Sequence, residues 1–331
     1  MNRHYDPLRP NRVHDGPERY EFTHGTNSVC VYDLATMRFV KEIPVGPKPD
    51  CHATSLDNRY LYIACHDGLY CIGQDTLAVE KVLDTGQVYA TNVMPDGSTM
   101  LVHDLSGGVV IVKDIADMAR IHVHKRVAVI PGATYRTEIG GKGHFIGNGR
   151  YYLCAGWKSA LTFLFDRESD YSFEVFMPET PDLLRSDDLV INRSKTKAYT
   201  ACHCYKAPSY VAVIDIGARQ VIRRIPTGNG TCGLTMSNDE RYVIASNDDD
   251  DSISVIDTET DAVVNTVCAR KGFEALGITG YIQGISVGRD DAIYVYGCSG
   301  NGALVRFTDV TGAGAYVISY SGGTYASPVS P

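Results

Sequence analysis

One pattern limits what this chain of 331 residues can become: an alternating apolar strand that ends in aspartate, repeated along nearly the whole length. The clearest copies are Ser28-Val29-Cys30-Val31-Tyr32-Asp33, Tyr210-Val211-Ala212-Val213-Ile214-Asp215 and Ser252-Ile253-Ser254-Val255-Ile256-Asp257. Each is followed by a short polar turn and a second alternating strand, which is the signature of a β-hairpin. Weaker copies end at Gly73, Asp114, Asp166 and Asp309, so the seven ends lie 40–52 residues apart. Between them a second hairpin turn recurs, as Asp57-Asn58-Arg59-Tyr60, Pro95-Asp96-Gly97, Asn148-Gly149-Arg150, Asp239-Glu240-Arg241-Tyr242 and Arg289-Asp290-Asp291. A period of this length carrying two hairpins is that of a four-stranded propeller blade.

The reading that follows is all-β: a seven-bladed β-propeller of four-stranded antiparallel blades. Residues 1–18 form an irregular N-terminal arm, and residues 19–331 form a single propeller. The chain opens with only three strands' worth of a blade, Tyr20–His24, Ser28–Asp33 and Phe39–Val45. Its tail, Gly323 to Pro331, reads as the start of an inner strand, so the C-terminal strand is expected to join the N-terminal blade and close the ring. Closure removes two exposed sheet edges. The repeats, above all Ile253-Ser254-Val255-Ile256-Asp257-Thr258-Glu259-Thr260, resemble the YVTN-type propeller repeat. That resemblance implies the fold alone, because similar repeats serve lactonases, dehydrogenase subunits, electron-transfer enzymes, DNA-associated proteins and scaffolds.

Composition agrees and excludes some classes. The 21 Tyr against 9 Phe and 1 Trp, with 32 Gly, suit strands and tight turns. Tyrosines such as Tyr60, Tyr62, Tyr151, Tyr152, Tyr242 and Tyr294 are expected to pack between blades, with their hydroxyls at the edge. A net charge of -8 and the lack of a Lys/Arg cluster argue against nucleic acid or an anionic membrane as partner. The start of the chain has no apolar core of a signal peptide, and no run approaches a membrane span. Cysteines within strand-like runs (Cys30, Cys71, Cys154) read as small buried hydrophobes, so a cytoplasmic location is expected. There is no strand–glycine–helix unit for a nicotinamide, no flavin signature and no CxxCH for covalent haem.

Candidate chemistry gathers where second strands end and inner strands begin, because those segments share one face of a propeller, at the mouth of the channel. Histidine recurs there at His66, His103 and His203. With Glu138 and Asp188 these are the candidate acid–base residues, since histidine titrates near neutrality and a neighbouring carboxylate raises its basicity. The alternative is a repeat position that tolerates a strand-capping histidine. His52, Tyr89, Arg136, Asp187, Trp157, Lys206 and Gln283 are candidate substrate contacts on the same face. A divalent metal held by two or more of His52, His66, His103 and His203 is an open option, although no metal-like spacing is present. A thiol nucleophile at Cys202 or Cys204 rests only on proximity to His203. Asn247-Asp248-Asp249-Asp250-Asp251 lacks the glycine and terminal glutamate of a calcium loop and reads as a solvated hairpin turn.

The functional expectation is a small-molecule-converting enzyme with a His/carboxylate site at the channel mouth, metal assistance being the open option, of lyase, isomerase, cyclase or lactonase type. The competing expectation is a non-catalytic interaction propeller or a subunit of a larger complex, with a protein as partner.

Overall fold

A computed structural model describes residues 20–33, 36, 38–94, 97–105, 108–128, 143–146, 150–155, 162–169, 172–176, 183–185, 188–204, 208–269, 282–287, 292–297, 304–307 and 315–319. Among these residues every regular element is a strand, and the strands form seven antiparallel sheets in chain order. Sheet 1 holds Tyr20–His24 (β1), Ser28–Asp33 (β2) and Arg38–Pro44 (β3). Sheet 2 holds His52–Thr54 (β4), Tyr60–Cys65 (β5), Gly68–Gly73 (β6) and Ala78–Leu83 (β7). Val88–Val93 (β8), Thr99–Asp104 (β9), Gly108–Lys113 (β10) and His122–Ala128 (β11) make sheet 3. Gly143–Ile146 (β12), Tyr151–Ala155 (β13), Thr162–Asp166 (β14) and Ser172–Phe176 (β15) make sheet 4.

Sheet 5 departs from the expected four strands. Leu183–Arg185 (β16) and Leu189–Ile191 (β17) both pair with the long Lys197–Cys204 (β18), and Tyr210–Asp215 (β19) and Gln220–Pro226 (β20) follow. Sheet 6 is Thr231–Met236 (β21), Tyr242–Asn247 (β22), Ser252–Asp257 (β23) and Ala262–Cys268 (β24). Sheet 7 is Ile282–Val287 (β25), Ile293–Gly297 (β26), Leu304–Phe307 (β27) and Ala315–Ser319 (β28).

The aspartates that end the clearest copies share a local job. Asp33 Oδ1 accepts from the Thr36 amide at 2.8 Å, Asp215 Oδ1 from the Ala218 amide at 2.8 Å, and Asp257 Oδ1 from the amides of Glu259 and Thr260 at 2.9 and 3.0 Å. A short carboxylate satisfying amides two and three residues on is what nucleates such a turn. A second partner comes from the preceding hairpin: Arg150 reaches Asp166 at 2.7 Å, and Arg241 reaches Asp257 at 2.7 Å. Arg150 and Arg241 also lie over the rings of Tyr151 and Tyr242. In sheet 2 the aspartate is replaced by Gly73, and Arg59 turns instead to Asp57 at 2.6 Å.

Neighbouring sheets bury their faces against each other. Val29, Val31 and Ile43 of sheet 1 pack with Leu61, Ile63 and Ile72 of sheet 2. Successive junctions repeat this through to Ile244 and Ile253 of sheet 6 against Ile285 and Ile293 of sheet 7. Buried tyrosines staple the junctions, their hydroxyls reaching the adjacent sheet: Tyr62 donates to the Ile115 carbonyl at 2.6 Å and Tyr199 to Asp261 at 2.9 Å. This matches the expectation for Tyr62 and Tyr152, whereas Tyr60, Tyr151 and Tyr242 are only half-buried.

The last strand of five sheets is interrupted by a bulge at one equivalent place, leaving Val40, Glu80, His124, Ile222 and Val264 without an opposite residue. All five are exposed. A bulge adds twist to an edge strand and spoils its template for further pairing.

Candidate functional site

Two junctions bring candidate residues together on the face where second strands end. At the junction of sheets 3 and 4, His103 near the end of β9 points toward sheet 4. Even-numbered Met100 and Val102 take the side facing sheet 2, so alternation leaves Leu101 and His103 facing sheet 4. Its Nε2 is 2.9 Å from the Tyr152 hydroxyl, and its ring meets those of Tyr89 and Tyr152 edge-on at 6.1 and 5.9 Å. Burial pushes the imidazole down to about 3, so it is neutral at physiological pH. Its Nδ1 is buried and has no hydrogen-bond partner among the described residues. Tyr89 is the extra residue of a bulge in β8 and packs beside Leu105 and Cys51.

At the junction of sheets 5 and 6, His203 lies on β18 with its side chain 3% exposed, and its Nε2 is 3.6 Å from Asp249 Oδ2. Asp188, immediately before β17, is also buried. One of its oxygens accepts from its neighbour's amide, Leu189, at 2.9 Å, and the other accepts from the Leu234 amide of sheet 6 at 3.0 Å. That second amide is available because β21 is irregular between Thr231 and Leu234. Within the irregular stretch Cys232 donates to the Asp248 carboxylate. Asp188 therefore ties two inner strands together.

The acidic loop after β22 is not simply solvated. Asp248 and Asp251 are buried, Asp250 accepts from the Asn229 amide at 2.9 Å, and Asp251 accepts from the Ile282 amide of sheet 7 at 3.3 Å. The loop seats itself on backbone donors, which leaves Asp249 as its outward carboxylate, 54% exposed.

The other candidates are scattered. His52 faces sheet 1, its ring edge-on to Phe22 at 6.4 Å. His66 is half-buried in the loop after β5, where its amide donates to the Pro47 carbonyl. The carboxylates that follow histidines in sequence have other partners: Asp67 accepts from the Tyr70 hydroxyl, and Asp104 pairs with Arg126 at 2.9 Å. Cys202 and Cys204 share one side of β18, as alternation requires, and burial pushes the Cys202 thiol up to about 12, so it carries no nucleophilic thiolate near neutrality. Among the described residues no group of three His, Cys, Asp or Glu is arranged to hold a metal ion. Arg136, Glu138, Trp157, Asp187 and Lys206 lie outside the described residues, as does the side chain of Gln283 on β25.

Sequence reasoning missed Tyr152, Asp249 and Cys232. The sequence pattern places Tyr152 in packing between sheets and Asp249 in a turn. No spacing signal marks either, because each partner belongs to the preceding sheet.

No protein-family model matches the chain, and no curated protein matches it significantly. Among solved structures, a chain titled Kuenenia stuttgartiensis Hydrazine Synthase superimposes with a TM-score of 0.70 over 91% of this chain and 96% of that one, at 14% identity. At that identity the likeness concerns architecture. With the sheets described above, it makes this an all-β protein of antiparallel, chiefly four-stranded sheets arranged as a β-propeller.

Proposed function

We propose that the protein is a small-molecule-converting enzyme of lyase, isomerase, cyclase or lactone hydrolase type, acting at the mouth of the propeller channel. The observation that carries this is the contact of His203 with Asp249 across the junction of sheets 5 and 6. A histidine beside a carboxylate is the usual means of moving a proton near neutral pH, and each of these reactions moves a proton at adjacent atoms. In this reading His203 is the proton-transferring group and Asp249 orients it. His66 and Glu138 remain candidate acid–base groups, and His52, Tyr89, Arg136, Trp157, Asp187, Lys206 and Gln283 candidate substrate contacts. A divalent metal is not required by any described group.

The seven sheets are read as seven blades within a single domain from residue 19, the C-terminal strand completing sheet 1, which has three strands among the described residues. Nine cysteines among the described residues are free thiols, and no helix there is long and apolar enough to cross a membrane. Free thiols support a reducing compartment and hence a cytoplasmic location.

The test is turnover. Purified protein is assayed against a panel of lactones and β-substituted carboxylic acids, with His203→Ala and Asp249→Asn as controls. The proposal expects turnover that falls at least ~100-fold in His203→Ala, the scale of general acid–base catalysis. Turnover unchanged in both variants sinks it. A second reading, a non-catalytic interaction propeller, is favoured by exposed apolar side chains on outermost strands: Val40, Val82, Ile222 and Val264. A co-purifying protein partner lost on changing these to Ser would support it.

A further inference from the structure

His103 was expected to be an acid–base residue, and its surroundings argue for a different kind of chemistry. Its imidazole is fully buried, two tyrosine rings meet it edge-on, and one nitrogen is committed to Tyr152 while the other has no partner among the described residues. A phenol is the stronger acid of the pair, and an imidazole nitrogen is the stronger base, so the proton of this 2.9 Å contact belongs on the phenol oxygen and points at Nε2. A neutral ring whose Nε2 accepts must carry its single proton on Nδ1. Tyr152 then acts as a positioning residue that sets the tautomer.

We propose that Tyr152 holds His103 as its Nδ1–H tautomer, presenting a neutral hydrogen-bond donor to an acceptor oxygen, carbonyl or carboxylate, of a small molecule bound at the junction of sheets 3 and 4. A buried donor with nothing to bind is costly, so the site favours whatever supplies that oxygen. A neutral imidazole donor also suits reactions that build negative charge on a carbonyl oxygen, because it stabilises the charge without giving up its proton. The proposal rests on the reading of this face as the reacting site.

The first experiment needs no turnover. Two-dimensional nitrogen NMR of histidine-labelled protein reads the tautomer directly. The wild type is expected to show His103 as Nδ1–H, unchanged between pH 8 and pH 5, and Tyr152→Phe is expected to show a mixture of tautomers. An Nε2–H wild type, or a Tyr152→Phe protein with the same tautomer as the wild type, overturns the role of Tyr152. The second experiment follows the Nδ1–H proton during titration with γ-butyrolactone, for an ester carbonyl, and with acetate, for a carboxylate. A shift with one identifies the class, and no shift with either overturns the ligand role. His103→Asn keeps an amide donor where Nδ1 was, and His103→Gln keeps one where Nε2 was. The responsive probe is expected to bind the Asn variant as it binds wild type and the Gln variant roughly tenfold more weakly, the loss of one neutral hydrogen bond. Equal binding by the two variants overturns the assignment of the donor to Nδ1. Failure of the His203 variants to affect turnover, with the tautomer as stated, would remove the catalytic reading alone.

Discussion

The burial of His103 gives the protein a specific sensitivity to acid. In the unfolded chain this imidazole takes up a proton near its ordinary value of 6.5; in the folded protein it does so only near about 3. Between those values the unfolded state holds one more proton than the folded state. The contribution is therefore fully present above pH 6.5 and is lost as pH falls toward 3, at about 1.4 kcal/mol per pH unit. From pH 6.5 to pH 5 the loss is 1.5 units, or about 2 kcal/mol. His103→Gln isolates it, since glutamine retains a polar group for the Tyr152 hydroxyl and has no proton to gain. Urea unfolding of both proteins at pH 7.5 and pH 5 gives two stability gaps, in which the other titrating groups cancel. The variant is expected to be the less stable at pH 7.5 and to recover about 2 kcal/mol relative to wild type at pH 5. A gap that stays constant to within about 0.5 kcal/mol, the usual limit of additivity, would refute the reasoning.

Three further outcomes follow from the geometry. Asp188→Ala leaves the Leu234 amide without its acceptor and should cost about 1–3 kcal/mol in chemical denaturation, whereas Asp188→Asn, which keeps one oxygen, should cost less; equal losses would argue against the clamp. Gly230→Ala puts a side chain at φ +73° with its Cβ 2.7 Å from the Asp249 amide, so it should lose at least about 1 kcal/mol and displace Asp249 from His203, seen as a changed His203 NMR signal. Alkylation of the native protein followed by peptide mapping should label exposed Cys268 well before buried Cys65, Cys71, Cys154 and Cys202; early labelling of Cys202 would contradict its burial.

What could be read from the residues was what local chemistry dictates. The strand that ends in Asp33, Asp215 or Asp257 announces itself because the carboxylate caps amides two or three residues on, within the same hairpin. Even the Gly73 exception was visible, though not that Arg59 would then turn to Asp57. The site was legible only as a face. His103 and Tyr152 are 49 residues apart and Asp188 and Leu234 are 46 apart, each pair meeting across a sheet junction. Repeat spacing tells which strand ends share a face, but not which side chains touch, because that depends on the twist between sheets and on bulges at Tyr89 and near Cys232. The acidic loop misled for the same reason: its partners, Asn229 and Ile282, come from segments entering inner strands.

The outer-strand bulges have an evolutionary consequence. Because the extra residue opposes nothing and packs against neither neighbour's face, its identity is decoupled from folding, and Val, Glu, His, Ile and Val fill the five equivalent places. Each of these five sheets thus carries one free letter on the circumference. The rim can acquire charge, a titratable ring or an apolar contact one sheet at a time, while the buried junctions that hold His103 and His203 stay as they are.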